Sequence, residues 1–146
     1  MTRSIVRRAL AVLAAVTLAA CDSATSGSLR LDITPDKPQY TPGTTVLLTI
    51  RNLGDEPVNF SFCGREIQRE TATGWVTVSA ELVSCTRIGL VLAPGASATG
   101  HVELPTDLPA GRYRVYLPLV GGPADDEAGA DLETRKSSKP FEVTVG

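Results

Sequence analysis

Short apolar runs that alternate with polar residues fill the chain from residue 29 onward. The clearest lies in residues 44–52, where Val46, Leu48 and Ile50 fall on one face of an extended chain and mostly polar residues fall on the other. A period of two is typical of a β-strand with one buried face. The same pattern predicts six further strands, at residues 29–33, 57–62, 75–79, 98–104, 112–117 and 141–145.

Pro and Gly residues separate these runs, and no run has the length and periodicity of an amphipathic helix. Seven or eight strands of this kind predict an all-β domain, either a sandwich or a small barrel, because both architectures share the same alternation. In residues 112–117 the inward positions are Tyr113, Val115 and Leu117. The outward positions are Arg112, Arg114 and Tyr116. We expect Trp75 to pack in the core.

Several turn segments carry a resemblance to known sandwiches. Pro-Gly pairs stand before two strands, at residues 42–43 and 94–95, and residues 107–113 read D-L-P-A-G-R-Y. The latter resembles the tyrosine corner of Greek-key sandwiches, which implies that Tyr113 hydrogen-bonds the backbone a few residues upstream. With Gly74-Trp75, these segments look like bacterial immunoglobulin-like domains, which implies an immunoglobulin-like Greek-key β-sandwich over residues 29–146.

The same segments are distantly similar to the intracellular proteinase inhibitor family of Gram-positive bacteria, whose chains carry a Trp strand, a Pro-Gly turn and a Pro-Ala-Gly-x-Tyr segment in this order. This chain departs from that family in its N-terminal segment and in its cysteines. The departure argues against an intracellular inhibitory role. Inhibition of an envelope protease is kept as an alternative function.

The N-terminal segment has the composition of an export signal. Three arginines precede an apolar run at residues 9–18, which is too short to span a bilayer. Residues 18–21 read L-A-A-C and resemble the lipobox of bacterial lipoproteins, which implies acylation of Cys21 after removal of residues 1–20. The alternative is an ordinary secreted protein. Residues 21–28 then form a lipidated flexible tether, and residues 29–146 form the domain.

This resemblance places the protein at a bacterial cell membrane, on the extracytoplasmic side. Asp22, directly after the expected acylation site, resembles an inner-membrane retention signal of some Gram-negative bacteria. That rule is not general, so the leaflet and the membrane stay open.

The two other cysteines, Cys63 and Cys85, predict one disulfide, since exported proteins keep such bonds. A metal site is the alternative, but the two thiols and His101 fall short of the usual four ligands. We therefore expect no metal and no cofactor. The net charge is −2, and the expected cut removes three arginines and no acidic residue. Nucleic-acid binding needs clustered cations, which the chain lacks.

No motif predicts catalysis. His101 is the single histidine and falls on the strand face opposite Val102, so it is expected to face solvent, and no Gly-x-Ser-x-Gly elbow is present. Glu66 and Glu70 could form an acid and base pair, but they fit a polar strand better. We expect no enzyme; a small hydrolase centred on His101 is the less favoured alternative.

Recognition is the function that the pattern favours. Residues 121–139 form a long acidic segment without the residue order of a calcium loop, and loops of this length often bind partners. The candidate binding residues are Tyr116, Asp125, Asp126 and Glu127. The sequence thus predicts a lipid-anchored, non-catalytic envelope protein that binds or assembles with another envelope protein.

Overall fold

The computed structural model describes residues 29–80, 89–118 and 136–145, and ten β-strands form within them. In chain order they are β1 Leu31–Pro35, β2 Gln39–Tyr40, β3 Thr45–Asn52, β4 Val58–Phe60, β5 Glu66–Thr71, β6 Gly74–Ala80, β7 Leu90–Leu92, β8 Ser97–Glu103, β9 Gly111–Tyr116 and β10 Phe141–Val143. A three-stranded sheet has the order β1-β3-β8, and a five-stranded sheet has the order β2-β10-β9-β5-β6. β4 and β7 form a small third sheet.

The alternation in β3 sets the centre of the three-stranded sheet. Val46, Leu48 and Ile50 are fully buried, as their spacing predicts. β3 pairs antiparallel with β1 on one side and with β8 on the other. A turn at Pro42-Gly43 leads into it, and Gly43 takes a φ of +76°, which glycine adopts without strain. The predicted strand and its buried face are confirmed.

The two larger sheets contribute side chains to one hydrophobic core. From β9 and β10 come Tyr113, Val115 and Phe141, all almost fully buried. The Phe141 ring meets Tyr40 edge-on at a centroid distance of 5.1 Å and lies 6.4 Å from Tyr113. Burial of each such side chain stabilises the fold by about 1.5–3 kcal/mol, so the aromatic cluster is a principal contact between the ends of the chain.

The tyrosine corner is confirmed. The Tyr113 hydroxyl donates a hydrogen bond to the carbonyl oxygen of Pro109 at 2.7 Å. Burial raises the pKa of Tyr113, which keeps the hydroxyl protonated as the donor. The bond fixes the turn that leads into β9, and with it the start of the strand at the middle of the five-stranded sheet.

A second local contact fixes the turn between β1 and β2. The Tyr40 hydroxyl donates to the Asp36 carboxylate at 2.7 Å, and the backbone N–H of Leu47 donates to the same oxygen at 3.0 Å. These bonds hold the pKa of Asp36 below its usual range, whereas burial and the bond to Asp36 raise the pKa of Tyr40 to about 12. Because the folded pKa of Asp36 is lowered, its stabilising contribution is lost as the pH falls through that pKa.

The structure differs from the sequence prediction in the number and length of strands. β2 and β7 have only two and three residues, too few for a period-two signal, and both exist because neighbouring strands offer a ladder. The strand predicted at residues 57–62 ends at Phe60. Phe62 lies beyond it and is half-buried, packing against the core.

Several sequence predictions fall on other parts of the chain. The expected signal segment and Cys21, most of the acidic segment with Asp125, Asp126 and Glu127, and Cys85 lie outside the described residues. Cys63 is disulfide-bonded. Its pairing with Cys85 stays a prediction.

Candidate binding face on the five-stranded sheet

The side of the five-stranded sheet that points away from the core carries polar residues on three neighbouring strands. On β9 these are Arg112, Arg114 and Tyr116, at alternate positions to the buried Tyr113 and Val115. The ladder sets Gln68 of β5 opposite Arg114 and Glu66 opposite Tyr116, and it sets Glu142 of β10 opposite Arg112. We call this surface the polar face.

Arg114 is the central residue of the polar face. Its Nε donates to the side-chain oxygen of Gln68 at 2.7 Å, and its guanidinium carbon lies 4.5 Å from the ring centroid of Trp75. Only 5% of Arg114 is exposed. Arg114 points away from the core, as the alternation predicts, but its neighbours cover it.

Trp75 provides that cover. The prediction that Trp75 packs in the core is wrong. β6 is the last strand of the sheet, and Trp75 pairs with Glu70 of β5. The indole is half-buried and lies against Arg114 on the polar face. A planar guanidinium against an aromatic ring is a cation–π contact worth about 0.5–2 kcal/mol, so both side chains are held in place.

A hydrogen-bond chain extends this arrangement along β5. The Glu66 carboxylate accepts from the Thr77 hydroxyl at 2.7 Å and from the Gln68 amide at 3.4 Å. Gln68 in turn accepts from Arg114. Gln68 is 4% exposed and its bond to Arg114 is buried, so this bond is shielded from water. Glu66 thus belongs to a polar strand, as predicted.

The edge of the polar face toward β10 is more open. Arg112 makes an ion pair with Glu70 at 3.1 Å and lies 4.0 Å from Glu142. About half of each of these three side chains is exposed, with values of 50%, 41% and 54%. Exposed ion pairs contribute only about 0–1 kcal/mol, so a partner's charges can replace these contacts at low cost.

Tyr116 is half-buried at the end of β9, where its backbone bridges to Ser137. Of the four candidate binding residues, it is the one that the structure describes, and it joins the polar face beside Glu66. Gln68 and the grouping of Trp75 with Arg114 were not predicted from the sequence. The available signal was the Arg-x-Arg spacing of β9, which puts two cations on one strand face.

The candidates for chemistry lie elsewhere. His101 is exposed on β8 of the three-stranded sheet, on the face predicted for it. Within residues 29–80, 89–118 and 136–145, no three His, Cys, Asp or Glu side chains come together as a metal site would need. The same ranges contain no helix of the length and apolarity needed to cross a membrane.

The sequence of this chain matches a known family. The model of the bacterial Ig-like domain matches residues 27–139, which include every strand up to β9 and most of the chain. The chain belongs to the bacterial Ig-like domain family. Membership confirms the predicted immunoglobulin-like fold class, and such a domain is consistent with a role in protein binding or assembly. No curated protein matches this Ig-like domain significantly.

Solved structures that resemble the Ig-like domain are distant. Spo0M, a sporulation control protein from Bacillus subtilis, is 14% identical with a TM-score of 0.42, over 83% of this chain and 50% of that one. The alkylpurine DNA glycosylase AlkC of Pseudomonas fluorescens is 14% identical with a TM-score of 0.41, over 80% and 30%. A β-glucosidase from Listeria innocua is 17% identical with a TM-score of 0.37, over 82% and 16%. The domain spans half or less of each of these three solved chains, and their TM-scores support no inference about function.

Proposed function

We propose that this Ig-like domain is a lipid-anchored, non-catalytic recognition module of the bacterial envelope, and that it binds a protein partner through the polar face. The observation that carries the proposal is the placement of Arg114 between Gln68 and Trp75. A buried arginine held by a hydrogen bond and an aromatic ring is ordered before any partner arrives. Binding beside it therefore costs less side-chain entropy than binding to mobile surface residues.

The composition of the polar face fits a protein partner. Trp and Tyr are among the residues that dominate binding energy in protein interfaces, and Trp75 and Tyr116 lie half-buried on this one sheet surface, where the buried Arg114 holds Trp75 in place. Around them, Arg112 and Glu70 form an exposed ion pair, the kind of polar rim that surrounds an interface centre. Both signs of charge are present, which suits a protein surface better than a polyanion.

The binding proposal is tested by reversing one charge on the polar face. Arg112→Glu places a carboxylate beside Glu70 and Glu142, so it replaces two attractive contacts by repulsion with little effect on the core. After cross-linking in intact cells and affinity capture of the full chain, we expect the recovered partner to fall by about tenfold or more, because a cluster of three carboxylates would then face the partner and like charges brought together across an interface strongly disfavour binding.

Arg51→Glu is the matched control, since Arg51 is exposed on β3 of the opposite sheet. This variant should capture the partner as the unchanged protein does. Equal recovery by both variants would exclude the polar face as the binding surface, while leaving recognition elsewhere on the domain open.

The anchor rests on the lipobox resemblance at Cys21. Two or more acyl chains hold a protein stably at a membrane, and the lipoprotein pathway adds at least two. The tether at residues 21–28 then presents the domain to other envelope proteins. On the same reasoning about export, we propose that the disulfide of Cys63 is formed with Cys85, the pairing that leaves Cys21 available for acylation.

Replacing the acylated thiol should release the protein. We expect Cys21→Ser to move the protein from the membrane fraction to the soluble fraction of lysed cells, because the hydroxyl does not accept the thioether-linked lipid. Ser23→Ala, two residues further along, is the control and should remain in the membrane fraction. Unchanged fractionation of the Cys21→Ser variant would contradict the anchor and would favour another mode of attachment.

A further inference from the structure

β6 is the last strand of the five-stranded sheet, and among the described residues no strand pairs with its outer edge. Its sequence, G-W-V-T-V-S-A, contains no charged residue and no proline. Val76 and Val78 are 49% and 44% exposed. An open edge without charges or proline is a template for adding another strand.

The other sheet ends are protected in ways that β6 is not. The open side of β1 is met by Lys139, whose backbone N–H donates to the Ile33 carbonyl at 2.8 Å. β2 has only two residues, and β4 and β7 of the small third sheet have only three each. β8 carries His101 and Glu103, polar side chains that disfavour pairing with an apolar strand. β6 is therefore the favoured edge for strand addition.

We infer that a second copy of this chain pairs antiparallel with β6, with Val76 of each copy opposite Val76 of the other. In this register Trp75 lies opposite Thr77 of the second copy, and Gly74 lies opposite Val78. The two five-stranded sheets then continue into one sheet of ten strands, with the two polar faces on the same side. The Val76 side chains of the two copies meet across the two-fold axis, where side chains of an antiparallel pair come close.

Two observations favour a second copy over an unrelated peptide. The strand has no charge, so it offers an incoming peptide no charge to recognise, and two copies approach without repulsion. A two-fold axis also covers the same exposed apolar residue on both copies at once. A bulge in β6 favours this register between the two copies. Ile67 pairs with Ser79 and Gln68 with Thr77, so Val78 has no opposite residue on β5. Centring on Val76 keeps the ladder mainly on the regular part before it.

The pairing is independent of which partner binds the polar face, and it is tested by cysteine cross-linking of the full chain in its membrane. With Val76→Cys, mild oxidation should give disulfide-linked dimers, and mass analysis should find two peptides joined through position 76. Facing positions in an antiparallel pair bring Cβ atoms close to disulfide distance, so we expect cross-linking about tenfold faster than at unpaired positions.

Val78→Cys and Ser97→Cys are the matched controls, since Val78 is similarly exposed on the same strand and Ser97 is exposed on β8. Equal rates at all three positions would indicate random collision and overturn the inference. Val76→Lys gives a second readout: it should remove self-association of the detergent-solubilised protein in sedimentation velocity while leaving the thermal unfolding transition in place. A protein that stays monomeric at every concentration, or that binds an extended peptide along β6 instead, also overturns it.

Discussion

Replacing Asn52 by leucine lowers the free energy of unfolding by about 2–4 kcal/mol, because it leaves several backbone groups without their partners. Asn52 is fully buried at the end of β3. Its amide donates to the carbonyl oxygens of Glu56 at 2.7 Å and Leu92 at 3.0 Å, and its side-chain oxygen accepts from the N–H of Gly54 at 2.9 Å. One side chain thus joins the three-stranded sheet to the turn before β4 and to β7.

The measurement is urea unfolding followed by the fluorescence of Trp75, the single tryptophan. Asn59→Leu is the control, since Asn59 is an exposed position of β4 and should change the free energy of unfolding by less than about 0.5 kcal/mol. A loss below about 1 kcal/mol for Asn52→Leu would mean that water replaces the three bonds and that Asn52 does not hold the sheets together.

Gly100→Ala has the second large effect, about 1–3 kcal/mol of destabilisation, because a methyl group at this position overlaps the ring of Phe62. Gly100 is buried in β8, and Phe62 lies directly over its backbone after leaving β4. The ring is also edge-on to Phe60, at a centroid distance of 5.6 Å. Moving the ring away would therefore disturb its contact with Phe60.

A double-mutant cycle tests this contact. Phe62→Leu should cost less in the Gly100→Ala background than in the unchanged protein, since the smaller side chain removes the overlap. Gly89→Ala is the control, because an added methyl group there meets no neighbouring atom within 4 Å. Additive effects of the two changes in chemical unfolding would show that Phe62 does not determine the need for glycine at position 100.

The sequence predicts much of this fold because alternation reports directly on burial. Val46, Leu48 and Ile50 could be assigned to the core from spacing alone, and the resemblance of residues 107–113 to a tyrosine corner was enough to predict that Tyr113 bonds the backbone a few residues upstream, where the structure shows the Pro109 carbonyl. Both depend on residues close together in the chain. β2 and β7 could not be predicted, because two or three residues become a strand only when a distant strand pairs with them.

Only part of the candidate site could be predicted from alternation. Alternation correctly turns Arg114 away from the core, but it does not say what lies over that side chain. Trp75 is far from Arg114 in sequence, and only the order of β9, β5 and β6 brings them together. A tryptophan in a short apolar strand is usually a core residue. Its contact with Arg114 on the polar face could therefore be found only from the order of the strands in the sheet.

The most direct test of the polar face as the recognition surface is photo-cross-linking from position 112 in living cells. A photoreactive amino acid in place of Arg112, with the chain otherwise unchanged, records which proteins come within a few ångströms of this face. The same amino acid in place of Arg51 records contacts of the opposite sheet. We expect one specific protein adduct from position 112 and none of that mass from position 51. The same adducts from both positions, or a specific adduct from position 51 alone, would contradict the account.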